Sequence, residues 1–174
     1  MKSTGIIRRI DELGRIVIPK EIRKSLRINE GENLEIYINN DSIVLKKFSS
    51  IKKISDLAGQ LTDVTYSYIK KNIIIADNNS IIAVSGPLKK EIINENISTD
   101  LSNSIKRREK LIEKYKKDIA ITDKVVLNTK YIINSIISNS DVIGIVMIID
   151  DNIDEKDFEI SNIIADFIGK YNEC

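Results

Sequence analysis

Residues 11–19 read Asp11-Glu12-Leu13-Gly14-Arg15-Ile16-Val17-Ile18-Pro19. The stretch Asp11–Gly14 predicts a turn, because glycine adopts a positive φ without strain. On either side, Ile6–Ile10 and Arg15–Ile18 are rich in β-branched residues and predict two short strands. Pro19 ends the second strand and suits the first turn of a helix, which we expect to run to about Leu26. The chain therefore begins with a strand, a turn, a strand and a short helix.

A second pair of strands follows this helix. Residues 29–31 predict a turn, and residues 34–39 then alternate between apolar and polar or aromatic types, which is typical of a half-buried strand. The chain turns back into residues 42–45 as a hairpin. We assign residues 1–50 to one domain, rich in β-structure and with one short helix.

This N-terminal domain is small. A domain of about fifty residues without a disulfide or a metal rarely buries a sufficient core by itself. Its strands would also leave unpaired edges that invite association. Exchange of strands between two chains solves both problems, so we expect an obligate dimer.

Residues 51–174 have a different pattern and predict an α+β domain with one antiparallel sheet. Apolar stripes at helical spacing predict one helix from Ile54 to Tyr68 and a final helix with its face from Ile160 to Tyr171, capped by Asp154. Residues 98–117 are highly charged and predict a further helix, capped by Ser98 or Thr99. The predicted strands are Asn72–Ala76, Ile81–Val84, Ile119–Ile121, Tyr131–Ile137 and Val142–Ile149.

Several classes of function are disfavoured by residue types that the sequence lacks. It contains no histidine, which removes Ser-His-Asp and Cys-His catalysis and most catalytic zinc sites. It has neither of the common glycine-rich phosphate-binding loops. Its one cysteine is Cys174, so no intrachain disulfide is possible, and no apolar run is long enough to cross a bilayer. We therefore expect a cytoplasmic protein and nominate no catalytic residue, metal ligand, cofactor or membrane partner.

Basic residues are concentrated in the N-terminal domain. Residues 1–50 have a net charge of +3, and the remainder has −2. Arg8 and Arg15 lie on the two predicted strands, where their neighbours are apolar, so they should project outward. The predicted helix has four basic residues on one face, at Lys20, Arg23, Lys24 and Arg27. The pattern favours double-stranded DNA as a partner, because phosphates would relieve the repulsion between these charges. The alternative is that they only keep the surface soluble.

A second basic cluster lies in the charged segment 98–117. Its members are Lys106, Arg107, Arg108, Lys110, Lys114, Lys116 and Lys117, interleaved only with Glu109 and Glu113. We favour a solvated helix face for this cluster, with a DNA contact as the alternative.

The segment quoted first, with its neighbours, resembles the swapped-hairpin DNA-binding domain of the AbrB family. The resemblance runs from Ser3 to Arg23, is most specific over residues 11–19, and is completed by residues 34–37 and 43–47. The C-terminal domain resembles a GAF domain, notably in Ile82-Ala83-Val84-Ser85-Gly86 followed by Lys89-Lys90. The whole chain is similar to AbrB-family transcription regulators of spore-forming bacteria that carry a GAF domain.

The resemblance implies an oligomer and a set of DNA contacts. Two chains would interleave their hairpins into a dimer, and the GAF domains would pair through helices to form a homotetramer. The stripes at residues 54–68 and 160–171 are candidates for that pairing, unless they only cover the sheet of their own chain. The implied DNA contacts are Arg8, Arg15 and Arg23, then Lys24 where many relatives have arginine, with Arg9, Lys20 and Arg27 ranked below them.

The function implied is activation or repression of late sporulation genes in the developing spore. Few Asn or Gln residues lie near the basic residues to recognise adenine, so we expect loose sequence preference, selection by DNA shape, and binding at A·T-rich promoter regions. GAF domains often bind small molecules, but the sequence identifies no effector. Tyr66, Tyr68, Tyr131 and the Ser85-Gly86-Pro87 loop either line a ligand pocket or are ordinary packing and turn residues, the interpretation we favour.

Two alternatives remain at this point. Short AbrB-like domains also occur in antitoxins, where a disordered tail neutralises the toxin, and in transition-state regulators not tied to sporulation. The apolar residues after residue 50 argue for a folded tail and against an antitoxin. A GAF-derived enzyme such as a methionine sulfoxide reductase needs cysteines in the GAF domain, and the only cysteine is Cys174.

Overall fold

The structure is a computed structural model and describes residues 5–28 and 30–173. It divides into two compact units, with the division between Phe48 and Ser49. We refer to the unit that ends at Phe48 as the head and to the unit that begins at Ser49 as the body. Cys174 and Asn29, which entered the sequence predictions, lie outside the described residues.

The head contains one short helix and one hairpin. Helix α1 (Lys20–Ser25) starts directly after Pro19, as predicted, because proline's fixed φ suits a helix start. Strands β1 (Leu34–Asn39) and β2 (Ser42–Lys47) pair antiparallel, with Ile36 opposite Leu45. Asn40 has a φ of 51° in the turn between them. The predicted second hairpin is confirmed.

The strands predicted at residues 6–10 and 15–18 are not formed in this chain, where residues 5–18 contain no strand. A strand requires a ladder of hydrogen bonds along its length, and the backbone hydrogen bonds described here lie around the turn between the two arms. There the Asp11 N–H donates to the Arg15 carbonyl at 3.0 Å, and the Gly14 N–H donates to the Asp11 carbonyl at 3.0 Å. The turn prediction is therefore confirmed, and the strand prediction is wrong for a single chain.

The apolar residues of the head are mostly exposed. The half-buried alternation predicted for β1 is absent, since Ile36 and Ile38 are 67% and 85% exposed. Leu26 lies just beyond the end of α1 and is 57% exposed. A lone two-stranded hairpin has no second layer to cover its apolar face. The other large apolar or aromatic residues exposed in the head are Ile6, Ile7, Ile10, Leu13, Ile16, Val17, Tyr37, Ile43, Leu45 and Phe48.

The body is an α+β domain around a five-stranded antiparallel sheet, as predicted. The strands lie in the order β4-β3-β7-β6-β5. They are β3 (Asn72–Asp77), β4 (Ile81–Ser85), β5 (Lys110–Ala120), β6 (Val126–Ser138) and β7 (Asp141–Ile149). The helices are α2 (Ser50–Lys53), α3 (Ser55–Ile69), α4 (Lys89–Ile92), α5 (Thr99–Lys106) and α6 (Glu155–Tyr171).

Both faces of this sheet are covered by apolar side chains. On one face, Leu101 of α5 packs into a cluster with Ile133 and Met147. On the other, Ala58 of α3 and Ile168 of α6 pack with neighbours that include Ile136 and Val146 of the sheet. Burying an isoleucine fully stabilises the fold by about 1.5–3 kcal/mol, so these two clusters make the body self-sufficient.

The helix predicted over residues 98–117 is largely wrong. Helix α5 ends at Lys106, and β5 begins at Lys110. Arg108 has a φ of 55°, which ends helical geometry between them. Strand β5 is an edge strand rich in lysine, a composition that protects sheet edges from association and that a sequence pattern easily mistakes for a solvated helix. The cap was predicted correctly, because the Ser98 hydroxyl accepts a hydrogen bond from the Leu101 N–H at 3.1 Å.

The final helix begins as predicted. The Asp154 carboxylate accepts hydrogen bonds from the backbone N–H groups of Lys156 and Asp157, and the Asp157 carboxylate accepts one from the Asp154 N–H. Asp157 also forms an ion pair of 2.6 Å with Lys71, where the two side chains are only 4% and 17% exposed. This buried pair joins the start of α6 to the segment between α3 and β3.

Candidate nucleic-acid interface

The turn at residues 11–14 is held by one carboxylate. Asp11 Oδ1 accepts hydrogen bonds from the backbone N–H of Leu13 at 3.0 Å and of Arg15 at 2.8 Å. Asp11 Oδ2 accepts a third from Arg15 Nε at 2.8 Å. Gly14 supplies the positive φ, 76°, that the turn needs. The turn is thus a rigid base for the arginine that follows it.

The ion pair between Asp11 and Arg15 is exposed to solvent. The two side chains are 42% and 71% exposed, and exposed pairs contribute little to stability. The hydrogen bond from the Arg15 backbone N–H, and then that from its side chain, lower the pKa of Asp11 below its usual value of 3.8. Because the pair uses Nε, the guanidinium is oriented by the turn but still faces solvent. Sequence reasoning did not find this role of Asp11, although Asp before a glycine turn is the signal for it.

The arm before the turn has two exposed arginines. Arg8 donates from Nη1 to the Ile7 carbonyl at 3.2 Å, a weak local contact, and Arg9 is likewise exposed. The ranking of Arg9 below Arg8 assumed an ideal strand, which this segment does not form in the single chain. That ranking stays a prediction.

Helix α1 brings together three of the four basic residues predicted for its face. Lys20, Arg23 and Lys24 lie within it. Arg27 lies beyond its end and has a φ of 53°, so the predicted face of four residues is wrong at Arg27. The helix ends at Ser25, before Arg27, because Leu26 already closes it as the C-cap.

Arg23 differs from the other basic residues of α1. It is half-buried, and its Nε atom is buried without a hydrogen-bond partner among the described residues. Lys20 and Lys24 are exposed. Burial of a donor without a partner costs free energy, and the Arg23 Nε–H group is available to donate a hydrogen bond.

The second basic cluster is not the solvated helix face that we favoured. Its residues lie in the turn after α5 and along the edge strand β5, and several form exposed ion pairs. Lys114 contacts Glu155 at 2.6 Å, and Lys116 contacts Asp151 at 2.5 Å. Lys106, Arg107 and Arg108 remain exposed at the turn.

The tyrosines that could have lined a ligand pocket are not brought together. Tyr131 is buried in the cluster that contains Leu101, whereas Tyr66 packs beside Ile73 and Ile148 in a different cluster. Tyr68 is 83% exposed. In the nearby loop, the Ser85 hydroxyl is hydrogen-bonded to Asp63 and Thr62. Tyr66, Tyr131 and Ser85 thus make packing and turn contacts, the interpretation that we favoured, whereas the exposed Tyr68 does not.

Residues 5–28 and 30–173 contain neither a metal-binding cluster nor a membrane-spanning helix. No group of three or more acidic, histidine or cysteine side chains there is arranged to hold a metal ion. No helix within those ranges is both long enough and apolar enough to span a membrane.

Two family profiles match the chain. The family described as stage V sporulation protein T C-terminal, transcription factor, matches residues 53–173. The family described as antidote-toxin recognition MazE, bacterial antitoxin, matches residues 7–53. The two matches together span most of the chain.

Individual relatives agree with these profiles. Stage V sporulation protein T of Bacillus subtilis is 37% identical over 99% of this chain and 99% of its own length. The transition state regulatory protein AbrB of the same organism is 38% identical over 59% of this chain and 96% of its own length. Among solved structures, a GAF domain from A. aeolicus has a TM-score of 0.50 at 19% identity, covering 70% of this chain and 90% of that one.

These likenesses identify the parts of the molecule. The body has the fold of a GAF domain, and the head is of the AbrB type. At this identity over nearly the full length of both chains, the protein belongs to the family of stage V sporulation protein T.

Proposed function

We propose that this protein is a DNA-binding transcription regulator that activates and represses late sporulation genes. The observation that carries the proposal is the hydrogen-bonded Asp11–Gly14 turn, which orients Arg15 toward solvent, while Arg8 is exposed on the arm before the turn. The relative named a stage V sporulation protein supports the setting in a developing spore, where the protein would act at the nucleoid. Residues 1–50 would form the DNA-binding domain and residues 51–174 the regulatory and oligomerisation domain.

The head would function as a dimer. Ile7, Ile36 and Ile38 are 90%, 67% and 85% exposed in one chain, which is unfavourable for apolar side chains of this size. A second copy that exchanges its arms would cover these residues and would complete the strands at residues 6–10 and 15–18. The symmetric pair would then present each basic residue twice, as a two-fold DNA site requires.

A tetramer would form through the helices of the body. Val64 and Tyr68 of α3 and Ile163 of α6 are 59%, 83% and 68% exposed. The rings of Phe167 and Tyr171 stack with centroids 6.0 Å apart on α6. These exposed residues support the interpretation that part of each stripe contacts another chain. Two DNA-binding dimers in one tetramer would raise the avidity for DNA.

Binding would depend on phosphate neutralisation. Lysines and arginines that contact phosphates release counterions, so the affinity should fall steeply as salt is added. Lys24 keeps the charge of an arginine but lacks its bidentate fork, so it would bind phosphate rather than a base edge. The proposed contacts are Arg8, Arg15, Arg23 and Lys24, then Arg9, Lys20 and Arg27, at A·T-rich sites selected by shape.

The body would transmit a signal rather than catalyse a reaction. The body would have two arrangements that differ in how well the heads bind DNA. A small molecule would shift the equilibrium between them by the difference in its binding free energy for the two. The chemical identity of such an effector stays open, and we assign no catalytic role to any residue.

An antitoxin is the second candidate. The match of residues 7–53 to the MazE profile favours it. The folded body disfavours it, because an antitoxin of this type neutralises its toxin through a disordered tail that folds on binding. A toxin-neutralisation assay that detects protection would favour this candidate.

Arg15→Ala in the full chain tests the proposed function. DNA affinity should fall strongly while the oligomeric state, measured by sedimentation, stays that of the wild type. Lys117→Ala, which removes an exposed lysine from the body, is the control and should leave affinity nearly unchanged. Equal affinities of wild type and Arg15→Ala would refute the role of Arg15. Genome-wide mapping of bound sites during spore formation would then test the timing.

A further inference from the structure

A second cationic surface lies at one end of the body, in the turn between α5 and β5. Residues 106–110 contain four basic residues and one acidic residue, for a net charge of +3. Residues 23–27, around the end of α1 in the head, also have a net charge of +3. The body therefore has a local net charge equal to that of the most basic five-residue segment of the head.

The structure holds this turn in place. Arg108 donates from Nη2 to the Ser140 carbonyl at 2.9 Å, which ties the turn to the hairpin between β6 and β7. Arg107 forms an exposed ion pair with Glu109 at 3.3 Å, and Lys110 lies 3.9 Å from Asp166. Exposed pairs at these distances contribute little and exchange readily for another anion. Lys106 is exposed in the last turn of α5.

The chain enters the body at this same end of the sheet. Helix α2 lies close after Phe48, the last residue of the head. Its Ile51 side chain packs against Gly144, with Cδ1 2.6 Å from the position that a Cβ would occupy if residue 144 had one. Gly144 is opposite Ile136, near the end of β6 that leads into the hairpin contacted by Arg108. The opposite end of the sheet, where Lys90 and Lys117 lie, is therefore farther from the point of entry.

We propose that the turn at Lys106, Arg107 and Arg108 is a second DNA-binding surface, which contacts phosphates outside the stretch bound by the head. The proposal rests on the DNA-binding function proposed above. Arg108 has a positioning role, since its guanidinium is bound to the Ser140 carbonyl, and Lys106 and Arg107 supply the contacts. The surface would add affinity without sequence preference, because phosphates are the same at every site.

The test is a double variant, Lys106→Gln with Arg107→Gln, in the full chain. Each phosphate contact contributes about 0.9 to the slope of log affinity against log salt, so the loss of two should make the slope shallower by up to about 1.8 for each body that contacts the duplex. On a duplex longer than the site bound by the head the affinity should fall severalfold. On a duplex just long enough for the head it should stay at the wild-type value.

Two controls separate this result from general effects. Lys90→Gln with Lys117→Gln removes the same charge from the other end of the sheet and should retain the wild-type slope. Lys106→Arg with Arg107→Lys keeps the charge and should behave as the wild type, whereas a folding defect would not be rescued in this way.

The outcomes distinguish the two proposals. If the glutamine double variant has the wild-type slope and affinity on the long duplex while Arg15→Ala loses binding, this inference is overturned and the DNA-binding function stands. If the wild type itself does not bind DNA, both fail.

Discussion

The head and the body solve the problem of burying apolar residues in different ways. In the body, isoleucines such as Ile74, Ile75 and Ile132 are fully buried on the two faces of one sheet. In the head, Pro19 is the only buried residue among those described, and isoleucines lie on the surface. The body thus buries its own apolar core, whereas we propose that the head is completed by a second copy. The difference teaches that apolar residues left exposed in one unit point to where another chain would pack.

The largest effect should come from the buried ion pair of the body. Lys71→Met would leave the Asp157 carboxylate without its cation in a site where that side chain is 4% exposed. Breaking one partner of a buried pair costs about 3–5 kcal/mol in the free energy of unfolding. Chemical denaturation of the full chain measures this loss, which should appear in the transition of the body. Lys70→Met, at the exposed neighbouring lysine, is the control. A loss below about 1 kcal/mol would mean that the pair is not buried in solution.

The second prediction concerns Ile38, an apolar side chain of the head that is exposed in a single chain. Ile38→Ala should weaken the dimer, because strand exchange would bury Ile38, and truncation of a buried isoleucine costs about 2–5 kcal/mol. Sedimentation over a range of protein concentrations measures the effect, with Asn39→Ala in the same strand as the control. Substitution of a truly exposed residue changes stability by no more than about 0.5 kcal/mol. A change that small for Ile38→Ala would mean that Ile38 is not buried by a second copy, and the proposed difference between head and body would fail.

The elements that were predicted correctly form their contacts within one chain. Helices α3 and α6, strands β3, β4, β6 and β7, and the caps at Ser98 and Asp154 all follow from local periodicity and capping chemistry. Only the end of β5 was predicted, by the strand placed at Ile119–Ile121, because the rest of this edge strand carries lysines like a solvated helix. In the candidate site, the arginines were identified through the resemblance to the AbrB family. The spacing of the basic residues placed Arg27 on the same helix face as Lys20, but helix α1 ends before Arg27. The arms at residues 6–10 and 15–18 form no strands in the single chain, and we propose that a second chain would supply their partner strands.

A smaller effect is expected at the start of α5. Ser98→Ala should lower the free energy of unfolding of the body by about 1 kcal/mol, because its hydroxyl accepts a hydrogen bond from the Leu101 N–H. Ser98→Asn, which can also cap a helix, should recover part of that loss. Thermal and chemical unfolding of the two variants measure the difference. Equal stability of wild type and Ser98→Ala would show that the cap is not used.

The smallest effect is the pH dependence of the turn in the head. The pKa of Asp11 is lowered by its hydrogen bonds to Arg15 and Leu13. Because the pKa is lowered in the folded state, the ionised Asp11 carboxylate stabilises the fold at pH values above its usual pKa of 3.8. This stabilisation is lost as the pH falls through the lower folded-state pKa. An NMR titration of the Asp11 carboxyl carbon should therefore give a midpoint below 3.8. In Arg15→Ala the midpoint should rise, and a midpoint unchanged by that substitution would contradict the assigned contacts.

The arms of the head provide the most direct test of the central claim, that two chains complete one DNA-binding unit. Amide hydrogen exchange of the full-length protein at residues 6–10 and 15–18 measures whether their backbone N–H groups are hydrogen-bonded. Strand exchange predicts slow exchange at alternate amides of both arms, and faster exchange on dilution below the dimer's dissociation constant. Exchange at the rate of an unstructured peptide, in a sample shown by sedimentation to be fully assembled, would contradict it.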